Sequence, residues 1–264
     1  MATFWLRAET KENEFRRAIV PKDSQRLIEA GHTVYVEDWS ESIIPIQEYE
    51  SIGCKVVAAN SWYDDAPSHA VIVGLKALPH HFESFTRTHL YFAHAYKQQD
   101  GWQELVGKFK KGHGEILDLE FMLDKDGRRV CAFGYWAGFV GAGLGALFAR
   151  ATDLTKTTKD LDQQKFFKNQ NDFIQFIQEH TNPNSSEKSI VIGARGRSGH
   201  GAHDLFSKLK WSTTAWDIDE TIKGGPFAEI LEHDVFVNCV LSTKKNHPLL
   251  IIKLSSLHKT QDLK

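Results

Sequence analysis

Cysteine, methionine and proline are scarce, at 3, 2 and 7 in 264 residues. Cys54, Cys131 and Cys239 are odd in number, far apart and without a C-x-x-C spacing. That pattern excludes a disulfide framework and a cysteine zinc site, and predicts reduced thiols in a cytoplasmic compartment. Neither sign of charge is in excess: 32 Lys and Arg face 34 Asp and Glu, a formal net charge of −2. Nothing in that balance recruits nucleic acid or an anionic membrane surface. The opening MATFWLRAET lacks a basic segment followed by an apolar run, so no signal peptide is expected. The most apolar run, FGYWAGFVGAGLGALF at 133–148, holds about sixteen residues against the roughly 20 of a membrane span, and Arg150 follows. Its G-x-x-x-G at Gly141 and Gly145 predicts a buried helix packing a glycine face tightly. We read it as the bridge between two domains.

Hydrophobic residues at 41% and charged residues at 25% are those of a globular chain long enough for two domains. The first 130 residues alternate short apolar, β-branched or aromatic runs (3–6, 33–36, 55–58, 70–75, 90–93 and 116–119) with helical patterns such as 24–30 and 102–109. Such alternation predicts an α/β domain with a mostly parallel sheet. Ligands of open sheets bind beyond the carboxyl ends of strands. Those ends carry Arg7, Glu37 and Asp38, Lys76, His94 and Glu120. A turn lysine is ordinarily a solvated charge, and a histidine in a run such as LYFAHAY is ordinarily a hydrogen-bonded core group. At neighbouring strand ends in one cleft, Lys76 and His94 would together pass protons to and from a substrate, a desolvated lysine being a usable base. The charged segment 9–17 and the basic turn 127–130 read either as solvated surface or as an arginine clamp for carboxylates or phosphates.

Residues 152–186 turn polar, with phenylalanines whose spacing predicts an amphipathic helix at 162–180, and TNPNSSEK reads as a link. Then SIVIGARGRSGHGAHDLFSKLKWSTTAWDIDE supplies a strand, glycines at 193, 196, 199 and 201, a helix, a second strand and Asp217. That is the order of a dinucleotide site: glycines bring the backbone close to a pyrophosphate, and the helix N-terminus offers unpaired N–H groups. Asp217 would accept hydrogen bonds from the adenosine ribose and repel a 2′-phosphate, favouring NAD. The spacing departs from G-x-G-x-x-G, and a glycine-rich turn without a ligand is the alternative.

Several motifs converge on one family. LRAETK, GLK ending at Lys76, FAHAYK around His94, LDLE at Glu120, GRRVCAFGYWAG, GARGRSGHGA and WDIDETIKGGPF resemble NAD-dependent, lysine-forming saccharopine dehydrogenase. The segment Glu14 to Pro21 resembles, more distantly, the alanine dehydrogenase group. The resemblance implies two Rossmann-like α/β domains with mostly parallel sheets, 1–132 for substrate and catalysis and 133–264 for NAD, the second incomplete. It implies oxidation of saccharopine with NAD and hydrolysis of the imine to lysine and 2-oxoglutarate. Carried over by motif, Lys76 would deprotonate the secondary amine and His94 would serve water addition and carbinolamine collapse. Arg16 and Arg129 would hold substrate carboxylates with Lys76, and Phe133 would line the pocket. Arg128, Gly196, Arg197, Asp217, Thr221 and Leu241 would contact NAD. No nucleic-acid or membrane partner is implied.

Three departures accompany the likeness. Ala77 stands where an acidic residue usually follows the lysine, and Leu241 replaces an aromatic residue near the nicotinamide. From about Ser242 the likeness stops, while family members run about a third longer. This predicts an unfinished second sheet, poor solubility and negligible saccharopine oxidation by the short chain. A non-catalytic NAD-binding or interaction protein of the same fold is the alternative. A methyltransferase would share the glycine turn, but the motifs around Lys76 and His94 argue against it.

Overall fold

The computed structural model describes residues 1–164, 166–182 and 187–240. The chain divides into two compact units, Met1–Ala132 and Phe133–Lys264, each built on a parallel sheet.

In the first unit the chain runs β1 (Thr3–Leu6), α1 (Pro21–Glu29), β2 (Thr33–Glu37), α2 (Ile46–Glu50), β3 (Lys55–Val57), α3 (Trp62–Asp65), β4 (Val71–Val73), β5 (Thr88–Tyr91), α4 (Trp102–Gly112) and β6 (Glu115–Asp118). The sheet order is β3-β2-β1-β4-β5-β6, with every neighbouring pair parallel. Strands build outward from β1 in one direction, then restart at β4 on its other side. That reversal opens a crevice beyond the carboxyl ends of β1 and β4. Period-two alternation sends Trp5, Ile72 and Tyr91 into one buried cluster and Leu6, Val34 and Val36 into another. Both faces are therefore covered, as a parallel sheet requires.

Strand boundaries follow backbone pairing rather than hydrophobicity. The run expected at 70–75 is a strand only over Val71–Val73, because the backbone of Leu75 and Lys76 turns away to donate to Glu9. The strand expected at 90–93 lies at Thr88–Tyr91, in register with Glu115 to Asp118.

The second unit contains α5 (Tyr135–Arg150), α6 (Leu154–Gln163), α7 (Gln170–His180), β7 (Lys188–Ile192), α8 (Arg197–Lys208), β8 (Ser212–Trp216), α9 (Ile218–Thr221) and β9 (Val235–Asn238). Its described strands are ordered β8-β7-β9 and are parallel. The apolar run expected to bridge two domains is α5, and it belongs to the core of this unit, where Phe139, Ala142 and Leu147 pack with Val191, Leu205 and Phe206. Only half of its G-x-x-x-G packs: a methyl group on Gly145 would crowd Val235 of the core at 2.9 Å. Among the described residues a methyl group on Gly141 would meet nothing, whereas one on Gly138 would overlap the Ser198 carbonyl and one on Gly201 the Tyr135 carbonyl. Close approach of α5 and α8 thus depends on Gly138 and Gly201.

The single helix expected at 162–180 is two helices. Asp153 caps α6 by accepting the Lys156 N–H at 2.9 Å. Asn169 starts α7 by accepting the N–H groups of Asn171 and Asp172 at 2.8 and 3.1 Å. A capping side chain satisfies donors that a helix start leaves open, so Asn169 begins a new element.

Candidate active site

Five strand ends of the first unit carry ionisable groups. Arg7, just past β1, is 3% exposed and pairs with Glu9 at 3.3 Å. Burial lowers the Arg7 guanidinium pKa, against the opposing charge of Glu9. Its Nη1 donates to the Ala8 carbonyl at 3.1 Å and its Nη2 to the Lys76 carbonyl. Glu9 accepts the N–H groups of Leu75 and Lys76 at 2.7 and 3.0 Å. The turn that carries Lys76 is therefore clamped through its backbone by two buried ions of the β1 loop.

The Lys76 ammonium lies 3.9 Å from Glu14 Oε2. Arg16 grips that carboxylate with Nε at 2.7 Å and Nη2 at 2.6 Å. Burial pushes the Glu14 carboxyl up, but the side-chain and backbone hydrogen bonds of Arg16 outweigh it, and the carboxyl lies below its ordinary pKa. Arg16, expected on substrate carboxylates, thus has an internal carboxylate in its fork. Glu37 ends β2 as a closed structural group: it accepts from Trp5 Nε1, Ala8 N, Asn60 N and Trp62 N at 2.7–2.9 Å.

His94 sits three residues past β5 with φ of 53°, in the left-handed region that non-glycine residues seldom adopt. Its Nδ1 is buried without a hydrogen-bond partner among the described residues. Lys76 and His94 line one cavity of about 370 Å³, whose walls include Leu78, Phe85 and Trp102. Arg129 binds the buried carboxylate of Glu120 beyond β6 at 2.7 Å, and Lys97 binds it at 2.5 Å. The Lys97 hydrogen bond, against desolvation and with the charge of Arg129, holds that carboxyl below its usual range. Arg128 is exposed, its backbone N–H tied to Asp124 at 2.8 Å. Phe133 is 60% exposed at the start of the second unit.

The remaining predicted residues gather in the second unit. Gly193 turns the chain after β7 with φ of +86°. A methyl group on Gly199 would overlap the Gly193 carbonyl, so the turn seats α8 against itself only with glycine there. Gly196 is the N-cap of α8, Arg197 its first residue, and among the described residues no side chain caps that end. Asp217 follows β8 and accepts the backbone N–H of Arg195 at 2.8 Å and of Ile218 at 2.9 Å. Those two bonds hold its carboxyl below the ordinary range, so it stays ionised. Thr221 donates its hydroxyl to the Asp217 carbonyl at 2.7 Å. A helix N-terminus without a side-chain cap among the described residues, a tight turn that needs glycine at 193 and 199, and an ionised acid at the next strand end fit an adenine dinucleotide. Leu241 lies outside the described residues.

Sequence reasoning missed Glu9 and Glu14, which it left inside one charged segment. The signal available was the E-x-R step from Glu14 to Arg16, a spacing that lets a carboxylate and a guanidinium meet across a turn.

Comparison with known proteins extends these observations. The alanine dehydrogenase/PNT N-terminal domain family matches residues 5–140. A saccharopine dehydrogenase (NAD+, L-lysine-forming) of Candida albicans is 41% identical over 265 residues, 93% of this chain and 69% of that one. Its namesake from Schizosaccharomyces pombe is 42% identical over 246 residues, covering 89% and 66%. The chain spans about two-thirds of the length of these relatives. Among solved structures, a transhydrogenase from Sinorhizobium meliloti matches with a TM-score of 0.55 at 15% identity, over 94% of this chain and 72% of that one, a likeness of fold. With identity above 40% sustained along nearly the whole chain, this protein belongs to the NAD-dependent, L-lysine-forming saccharopine dehydrogenase family.

Proposed function

We propose that the chain carries out the chemistry named for its relatives: NAD-dependent oxidation of saccharopine at its secondary amine, and hydrolysis of the imine to L-lysine and 2-oxoglutarate. The first unit, 1–132, serves substrate and catalysis, and the second, 133–264, holds NAD. The observation that carries the reading is the opening of Lys76 and His94 on one cavity beyond adjacent strands.

The substrate carbon gives up hydride only as the nitrogen lone pair pushes in, so the amine proton must leave first. Lys76, held by the Glu9 clamp, takes that proton. Bound NAD supplies the hydride acceptor. The resulting carbon–nitrogen double bond adds water, whose proton His94 removes. His94 returns a proton to the nitrogen. As the carbon–nitrogen bond breaks, the carbinolamine hydroxyl passes its proton to the departing amine, leaving ketone and ammonium, and His94 ends as it began. Arg16 and Arg129 bind substrate carboxylates, for which their planar forks are matched. Each would exchange a carboxylate of the protein, Glu14 or Glu120, for one of the substrate. Within the second unit, Gly196, Arg197, Asp217 and Thr221 contact the cofactor.

Reduced thiols at the three cysteines support a cytoplasmic setting. Among the described residues no helix is long and apolar enough to cross a membrane. The test is incubation of the 264-residue chain with saccharopine and NAD, following NADH, lysine and 2-oxoglutarate together. Equal yields of the three support the reading and overturn the expectation of negligible saccharopine oxidation. NADH binding without any product would leave the non-catalytic alternative.

A further inference from the structure

Two turns are stitched together at the carboxyl ends of β7 and β8. The Trp216 carbonyl accepts the N–H groups of Gly193 and Ala194 at 2.9 and 3.0 Å, and Asp217 accepts that of Arg195. A third tie is made by side chains. Arg195, exposed between Gly193 and Gly196, donates from Nη2 to Asp219 Oδ2 at 2.6 Å. Three carboxylates, Asp217, Asp219 and Glu220, face this one guanidinium. Two of them have other duties. Asp217 receives the Arg195 and Ile218 backbone N–H groups, and Glu220 receives the Asp217 N–H at 2.7 Å in a capping box. Asp219, on the exposed side of α9, is the one that takes the guanidinium hydrogen bond.

From this arrangement we infer that Asp219 is a cofactor-selectivity residue: by engaging Arg195 it keeps the guanidinium beside the glycine turn from a phosphate on the adenosine 2′-oxygen. The inference rests on the dinucleotide site proposed above. An arginine fork can donate to two oxygens of a carboxylate or of a phosphate in the same geometry, so the two anions compete for it. A 2′-phosphate entering beside β8 meets Asp217, already ionised, and an arginine whose Nη2 already donates to Asp219. Asp219 therefore acts twice, as a competitor for the fork and as a further negative charge. Asp217 sets the repulsion, and Asp219 engages a cation of the glycine turn that would offset it.

Asp219→Asn keeps the size of the side chain and removes its charge. Arg195 is then free for a phosphate. NADH and NADPH binding by fluorescence titration, and adenosine 2′,5′-bisphosphate against ADP by calorimetry, read the effect without turnover. The variant is expected to bind NADPH and the bisphosphate about tenfold more tightly, the value of one charge-assisted hydrogen bond. NADH affinity should be little changed, and the gain should shrink in high salt. Adding Arg195→Ala should abolish the gain. Unchanged NADPH affinity in Asp219→Asn, or a gain that survives Arg195→Ala, overturns the inference while leaving the NAD site standing. A native chain that binds neither dinucleotide removes the site itself, and the inference with it.

Discussion

Glu9 reaches from the loop after β1 to the turn after β4, where its two carboxylate oxygens accept the N–H groups of Leu75 and Lys76 at 2.7 and 3.0 Å. The same carboxylate balances the buried charge of Arg7. Glu9→Gln retains one accepting oxygen, presents an NH2 group to a backbone donor and leaves Arg7 uncompensated. We expect a loss of roughly 2–4 kcal/mol in urea unfolding. Turnover should fall further than the unfolded fraction explains, because the backbone that positions Lys76 is released. An unchanged midpoint would show that the clamp does not hold this turn.

Lys76→Met should lower the rate of NADH formation by ~10²–10⁴-fold, the usual cost of a positioned general base. NADH affinity should stay as it was, since the glycine turn and Asp217 belong to the other unit. Rate and titration are measured on the same preparation. A rate like that of the native chain would remove Lys76 from the mechanism.

Asp217→Ala should weaken NADH binding and narrow its advantage over NADPH. The substitution also removes the cap of α9, so unfolding should shift by about 1 kcal/mol. Native binding that favours NADPH would contradict the assignment of Asp217.

His89, on β5, is 1% exposed among the rings of Trp62, Phe85 and Phe109. Burial, aided by the charges of Arg7 and Arg87, lowers its imidazole to about 3, against roughly 6.5 in an unfolded chain. Between those values the unfolded state binds a proton that the native state refuses. Stability therefore falls as pH drops from about 6.5 towards 3, by up to about 1.4 kcal/mol per pH unit. His89→Phe should flatten the unfolding midpoint against pH between about 6.5 and 4. Parallel curves for the two proteins would place the acid sensitivity elsewhere.

The sequence by itself determined the α/β alternation, the glycine turn after residue 192 and the placing of Lys76, His94 and Asp217 beyond their strands. These are local matters: β-branched runs pair as strands, glycine permits the turn, and a strand's last residue points its successor at the crevice. Tertiary structure decided which charges are buried. The segment ETKENEFRR reads as one hydrophilic loop, yet Glu9, Glu14 and Arg17 are buried while Lys11, Glu12 and Asn13 are exposed. Which of them loses water depends on the strand ends that the loop covers, and no spacing within the loop encodes that. The same holds for α5, where any of several glycines would serve a G-x-x-x-G pattern. Only the position of the Ser198 carbonyl makes Gly138 indispensable, while Gly141 has no neighbour at its Cβ position among the described residues. The Arg195–Asp219 bond is also a tertiary fact, because residues 24 apart in sequence meet only when β7 and β8 pair in parallel and end side by side.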